Sequence, residues 1–193
     1  MTLQELSIQC QSCQACPLGS TRTNLVFGCG AEDSKIMFVG EGPGENEDLQ
    51  GEPFVGKAGQ LLDDMLKIID LDRKRNCYIA NIVKCRPPGN RDPQRSEQQA
   101  CIGWLRGQMD IIRPRIIVCL GRIAACALID ENFRITREHG RVIEKEGIYY
   151  IATFHPSALL RDESRRPDAF GDLKTIQALI RKIAPETYGI QYK

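Results

Sequence analysis

The sequence has almost no net charge: 26 Lys and Arg face 25 Asp and Glu, a formal +1 over 193 residues. That excludes a global cationic field for nucleic acid, so any such contact must come from a local patch. No apolar run reaches membrane-spanning length, and the opening residues MTLQELSIQC hold no signal-like core. A cytoplasmic chain with no membrane partner is expected. Aromatics make up only 6%, and there are two histidines, His139 and His155. Internal repeats, low-complexity stretches and linkers are missing. Collagen-like and disordered classes are thereby excluded, and one domain over 1–193, expected as a monomer, remains. The dinucleotide glycine spacing and the GxxxxGK(S/T) run are missing too, so nucleotide hydrolysis is not expected.

What the chain has in excess is cysteine, nine in all. An odd number without a secretion signal argues against a disulfide framework and for a metal or cluster. Cys10, Cys13 and Cys16 form CxxCxxC before Pro17, and Cys85 and Cys101 follow far downstream. Two thiolates two residues apart can face one ion. Cys101 falls early in an expected helix, where the dipole favours thiolate. Cys13, Cys16, Cys85 and Cys101 can therefore close four-thiolate ligation and tie the N-terminal segment to the body. Cys10 can replace either N-terminal ligand. Tetrahedral zinc and an iron–sulfur cluster both fit this donor set. Cys119 and Cys126 suit core packing, and Cys29 and Cys77 are unassigned.

The hydrophobic pattern alternates between strand and helix. Apolar runs at 35–39, 77–83, 115–120 and 148–154 read as strands. Helical stripes fall at 58–69, 102–112, 122–129 and 173–183, with a capping box expected at Ser96 and Gln99. This order predicts an α/β fold, a three-layer αβα sandwich on a central four-stranded parallel sheet. Ligands bind such sheets beyond the carboxyl ends of the strands, here just after residues 40, 80, 120 and 154.

Those positions carry chemistry. After the first strand, GEGPGENED (40–48) combines tight-turn glycines with Glu41, Glu45, Glu47 and Asp48. Crowded acids raise one another's pKa and suit water activation, although such a run also suits a solvated face. GEPFVGKAG (51–59) places Phe54 among glycines, as a core anchor or a stacking platform for a planar ligand. Asn81 ends the second strand and can read a base edge with its donor and acceptor. The loop after it holds Lys84, Arg86, Arg91 and Arg95 against Asp92, a local patch suited to phosphate. His155 ends the fourth strand, held extended by Pro156.

Taken together, GEGPGENED, GEPFVGKAG, NIVKCRPPGNRDP, HPSALLR and CQACPLG closely resemble the family 4, iron–sulfur uracil-DNA glycosylases, from about Cys13 to the final helix. The resemblance implies an enzyme that hydrolyses the N-glycosidic bond of uracil in DNA. It implies a [4Fe–4S] cluster on Cys13, Cys16, Cys85 and Cys101. It implies uracil stacked on Phe54, its edge read by Asn81 and its O2 contacted by His155, with Glu41, Gly42 and Pro43 beside the scissile bond. The cluster-free uracil-DNA glycosylases carry Asp where this chain has Gly42 and a bulky Tyr near Gly44. Glu41 and Glu47 are then the candidates for activating water, Glu41 ranked first. Two rival readings are a non-catalytic or covalent uracil-DNA binder and a zinc-bearing nucleic-acid-binding module. Related trapping proteins use a histidine in the loop after the second strand, and 82–100 contains none.

Overall fold

The computed structural model describes residues 1–189, and its elements follow the apolar pattern. In chain order they are α1 (Leu3–Gln11), α2 (Leu18–Thr21), β1 (Cys29–Gly30), β2 (Ile36–Gly40), α3 (Glu45–Gln50), α4 (Lys57–Ile68), β3 (Tyr78–Asn81), α5 (Arg95–Ile112) and β4 (Ile116–Leu120). They continue as α6 (Arg122–Leu128), α7 (Ile135–Glu138), β5 (Val142–Lys145), β6 (Ile148–Thr153), α8 (Pro156–Arg161), α9 (Arg166–Ile183) and α10 (Glu186–Gly189). The expected domain, 1–193, includes residues 190–193, which lie outside the described residues.

The sheet is mixed and six-stranded, in the order β1-β3-β2-β4-β6-β5. This corrects the expectation of four parallel strands. β3, β2, β4 and β6 do run parallel, but β1 and β5 add antiparallel edges. The edge strands escaped the apolar pattern for physical reasons. β1 is two residues long, and most of β5 faces solvent. Glu146 and Gly147, both at positive φ, form the two-residue turn that folds β5 back on β6.

Alternation along the strands supplies two cores. Met37 and Val39 of β2 join Leu3 and Leu6 of α1 and Leu105 and Ile112 of α5 on one face. Ile36 and Phe38 turn the other way, toward Leu62 and Leu66 of α4 and Leu173, Ile176 and Ile180 of α9. β2 and β4 are buried over every residue, as strands covered on both faces must be. The start of α5 differs from expectation. Glu97 accepts the Gln94 N–H at 2.7 Å, so the cap lies two residues before Ser96. Arg91 holds the same carboxylate through both terminal guanidinium nitrogens, at 2.7 and 2.9 Å, which fixes Glu97 in the capping position. Among the described residues, no helix is long and apolar enough to cross a membrane.

Candidate active site

The carboxyl ends of β2, β3 and β6 open onto one cleft of about 440 Å³. Glu41, Gly42 and Pro43 follow β2 into it, Asn81 ends β3 and His155 follows β6. Glu47 enters from α3 and Phe54 from the α3–α4 connection. All seven expected residues of the cleft are thus brought together.

Phe54 approaches the sheet because Gly40 has no side chain. A Cβ at Gly40 would lie 2.5 Å from Asn81 Oδ1 and 2.6 Å from Phe54 Cζ. Phe54 itself sits at φ +54°, a left-handed conformation unusual for an aromatic residue. Its ring centroid is 5.5 Å from that of His155, with the planes 31° apart. Asn81 is 2% exposed, and its Oδ1 is buried without a hydrogen-bond partner among the described residues. A buried orphan acceptor is costly, and a ligand N–H in the cleft would satisfy it.

The tautomer of His155 follows from its contacts. Its Nδ1 accepts the Ser157 backbone N–H at 3.1 Å, and the Ser157 hydroxyl lies 2.7 Å from the same nitrogen. A backbone N–H can only donate, so Nδ1 carries no proton and the neutral ring holds it on Nε2. Burial, reinforced by the Arg161 cation and opposed by Glu47, holds the His155 pKa down to about 4. The ring is therefore a neutral donor at physiological pH.

The two candidate carboxylates differ. Burial, with the Asp92 anion nearby, pushes Glu41 up to about 7, against the pull of Arg122 and Arg161. That value suits a base that takes a proton near neutrality. Both oxygens of Glu47 are engaged instead. One accepts from Val55 N–H at 3.0 Å and Gly56 N–H at 3.1 Å, and the other from Gly44 N–H at 3.1 Å. Glu47 thereby fastens the 44–47 turn to the segment that carries Phe54.

The expected basic patch at 84–95 is not a row of free cations. Lys84 is fully buried, with Nζ on Asn81 O at 3.1 Å and Gln108 Oε1 at 2.6 Å. Arg91 is spent on Glu97, Arg95 pairs with Glu131 at 3.1 Å and Arg86 lies 3.9 Å from Glu45. Sequence counts charges but cannot see their partners. Arg161 lines the cleft and, among the described residues, has no acidic partner within ion-pair distance.

Cys13, Cys16, Cys85 and Cys101 line one narrow cavity between the N-terminal segment, the loop after β3 and α5. Three of their sulfurs meet N–H donors. Trp104 Nε1 is 3.3 Å from Cys13 Sγ, Arg22 Nη1 is 3.4 Å from Cys85 Sγ and the Lys84 backbone N is 3.3 Å from Cys101 Sγ. Arg22 also donates to Cys13 O at 2.7 Å and Gln11 O at 2.8 Å, binding the N-terminal loop to Cys85. N–H groups on sulfur stabilise thiolate, so the donor set fits a cysteine-ligated cluster. Among the described residues no three His, Cys, Asp or Glu converge on a single metal ion, so the four thiols are a donor set of the right chemistry rather than a closed metal site. Cys10 does not line the cavity; it is fully buried on the inner face of α1, where burial pushes its thiol up to about 12.

Comparison with known proteins decides the family. A family model described as the uracil DNA glycosylase superfamily matches residues 27–177. A type-4 uracil-DNA glycosylase of Archaeoglobus fulgidus is 44% identical over 97% of this chain and 98% of its own length. The chain belongs to the type-4 uracil-DNA glycosylases. A type-4 uracil-DNA glycosylase of Thermotoga maritima is 44% identical over 93% of this chain and 95% of its own. One of Sulfurisphaera tokodaii is 44% identical over 99% and 90%.

Within this type-4 chain, sequence reasoning missed the supporting residues. Ser157, two residues after His155 at the start of α8, was open to detection as a helix-start hydroxyl in His-Pro-Ser. Arg22 and Trp104 carry no comparable signal, because their meeting with the sulfurs depends on how α5 packs against the N-terminal loop.

Proposed function

We propose that this chain removes uracil from DNA by hydrolysing its N-glycosidic bond and leaves an abasic site. The observation that carries this is the orphaned Asn81 acceptor facing a cleft whose other walls are Phe54 and a neutral, Nε2-protonated His155. A base in a duplex is out of reach, so uracil must be flipped into the cleft, at a cost of a few kcal/mol. There it stacks on Phe54. Asn81 Oδ1 accepts from uracil N3–H while the amide NH₂ donates to O4. Cytosine lacks the N3 proton and offers a donor where uracil has O4, so its pattern is reversed.

As the glycosidic bond breaks, electrons pass to the base and charge grows on O2. His155 Nε2–H donates to that oxygen and stays neutral beforehand, so the leaving anion meets a donor that needs no rearrangement. The sugar becomes cationic, as in other glycosyl transfers. Glu41, as a carboxylate, stabilises that cation and takes a proton from the attacking water. Gly42 and Pro43 form the main-chain wall beside the bond. Glu47 holds this wall against the Phe54 segment, and Arg161 offsets the repulsion between the acids and the DNA phosphates.

Cys13, Cys16, Cys85 and Cys101 would hold a [4Fe–4S] cluster, whose thiolate bonds would fasten the N-terminal segment to the loop after β3. The test of function is uracil release from uracil-containing oligonucleotides, followed by alkaline cleavage at the abasic site. Excision at uracil, with none at cytosine, is expected. Absence of cleavage with enzyme in excess, alongside retained binding, would turn the reading toward a binder.

A further inference from the structure

Arg73 lies in the connection between α4 and β3 and is not among the residues that line the cleft. It is nonetheless 9% exposed, which is rare for an arginine unless its donors are used. They are used on one turn. Nη1 donates to Pro53 O at 2.7 Å and Nη2 to Phe54 O at 2.8 Å. Nε donates to Asp63 Oδ1 of α4 at 2.8 Å, and Glu52 Oε1 lies 3.8 Å from Nη1. The planar guanidinium therefore holds two successive carbonyls of a turn whose second residue is at φ +54°.

Holding successive carbonyls sets the peptide planes on either side of the Phe54 Cα. The side-chain direction follows from those planes. A left-handed aromatic residue is strained on its own and persists only where its surroundings over-determine it. Gly59 completes the fit, since a Cβ there would overlap the Phe54 carbonyl. We propose that Arg73 is a positioning residue for uracil excision, setting the stacking face of Phe54 through the Pro53 and Phe54 carbonyls. This rests on reading Phe54 as the uracil platform. Lysine cannot replace it, because a single ammonium lacks the flat fork that reaches both carbonyls while anchored on Asp63.

The test compares the full chain with Arg73→Lys, Phe54→Ala and the double variant in single-turnover uracil release. Arg73→Lys should slow release by about 10–10²-fold, the scale of a small misplacement in a reacting complex. In the Phe54→Ala background the same change should alter the rate by less than about twofold, because contacting residues that act through one group are not additive. Equal losses in both backgrounds would overturn the proposal. A second readout needs no activity. With 4-fluorophenylalanine at position 54, the fluorine NMR resonance should shift or broaden in Arg73→Lys. A resonance unchanged from that of the fluorinated chain with Arg73 intact would also overturn it. Should the unsubstituted chain release no uracil, the functional reading fails, while the resonance still reports whether Arg73 sets Phe54.

Discussion

At the scale of single residues, the proposed mechanism divides leaving-group chemistry from water chemistry between His155 and Glu41. The two respond oppositely to burial: it suppresses the charged form of each, lowering the histidine to about 4 and raising the carboxyl to about 7. His155→Ala removes the donor at O2, and loss of one such donor costs about 10²–10³ in rate. Single-turnover cleavage should fall by that factor while uracil-DNA binding is kept; an unchanged rate would end the leaving-group argument. Glu41 must be ionised to act, so the wild-type rate should climb as pH rises through about 7. Glu41→Gln should be slow and lose that climb. Stability should move the other way. The folded pKa of Glu41 lies above its ordinary 4.5, so its contribution is full below pH 4.5 and is lost as pH rises toward 7. Glu41→Gln should therefore melt higher than wild type at pH 8, and a lower melting point would contradict the burial argument. These roles were legible because both residues follow strands that sequence could place. The engagement of Glu47 with three backbone N–H groups was not, since it depends on two loops meeting in space.

At the scale of elements, the parallel strands were readable because strands covered on both faces are continuous apolar runs. Ile36–Gly40 and Ile116–Leu120 have no residue that must face water. The mixed character of the sheet was not readable, because β1 and β5 earn their place by backbone pairing rather than by burial. The buried strand end at Gly40 has a further consequence. Its missing side chain is the space in which Phe54 and Asn81 meet. Gly40→Ala keeps an acceptable strand residue, so the sheet should form, with the melting temperature lowered by overpacking at a buried strand end. The added methyl must push either the ring or the amide aside. Uracil excision should fall by at least tenfold, with discrimination against cytosine weakened if the amide moves. Circular dichroism and a paired uracil and cytosine assay check this. Excision at the wild-type rate would mean that Phe54 and Asn81 do not share the site in the way their closeness to Gly40 indicates.

At the scale of the whole molecule, the cysteines join parts that the sheet does not. Cys13 and Cys16 sit between α1 and α2, Cys85 follows β3 and Cys101 lies in the first turns of α5. Lys84, next to Cys85, places its ammonium on the Asn81 carbonyl, so the cysteine loop is tied to the strand end that carries Asn81. Loss of a ligand should then loosen the N-terminal segment and the edge of the cleft together. Purified protein should be brown, with iron and acid-labile sulfide near four each per chain, as four-cysteine [4Fe–4S] ligation requires. Cys85→Ala should lose iron, colour and solubility. Cys126→Ala should keep all three, because that thiol is on α6, with Sγ 3.6 Å from Phe133 O and no place in the cavity. Cys10→Ala separates ligation from packing more sharply. Its sulfur is fully buried and outside the cavity, so the variant should lose melting temperature while retaining iron. Iron loss from Cys10→Ala with iron retained in Cys13→Ala would reassign the N-terminal ligand. Stoichiometric zinc in colourless, active protein would replace the cluster altogether.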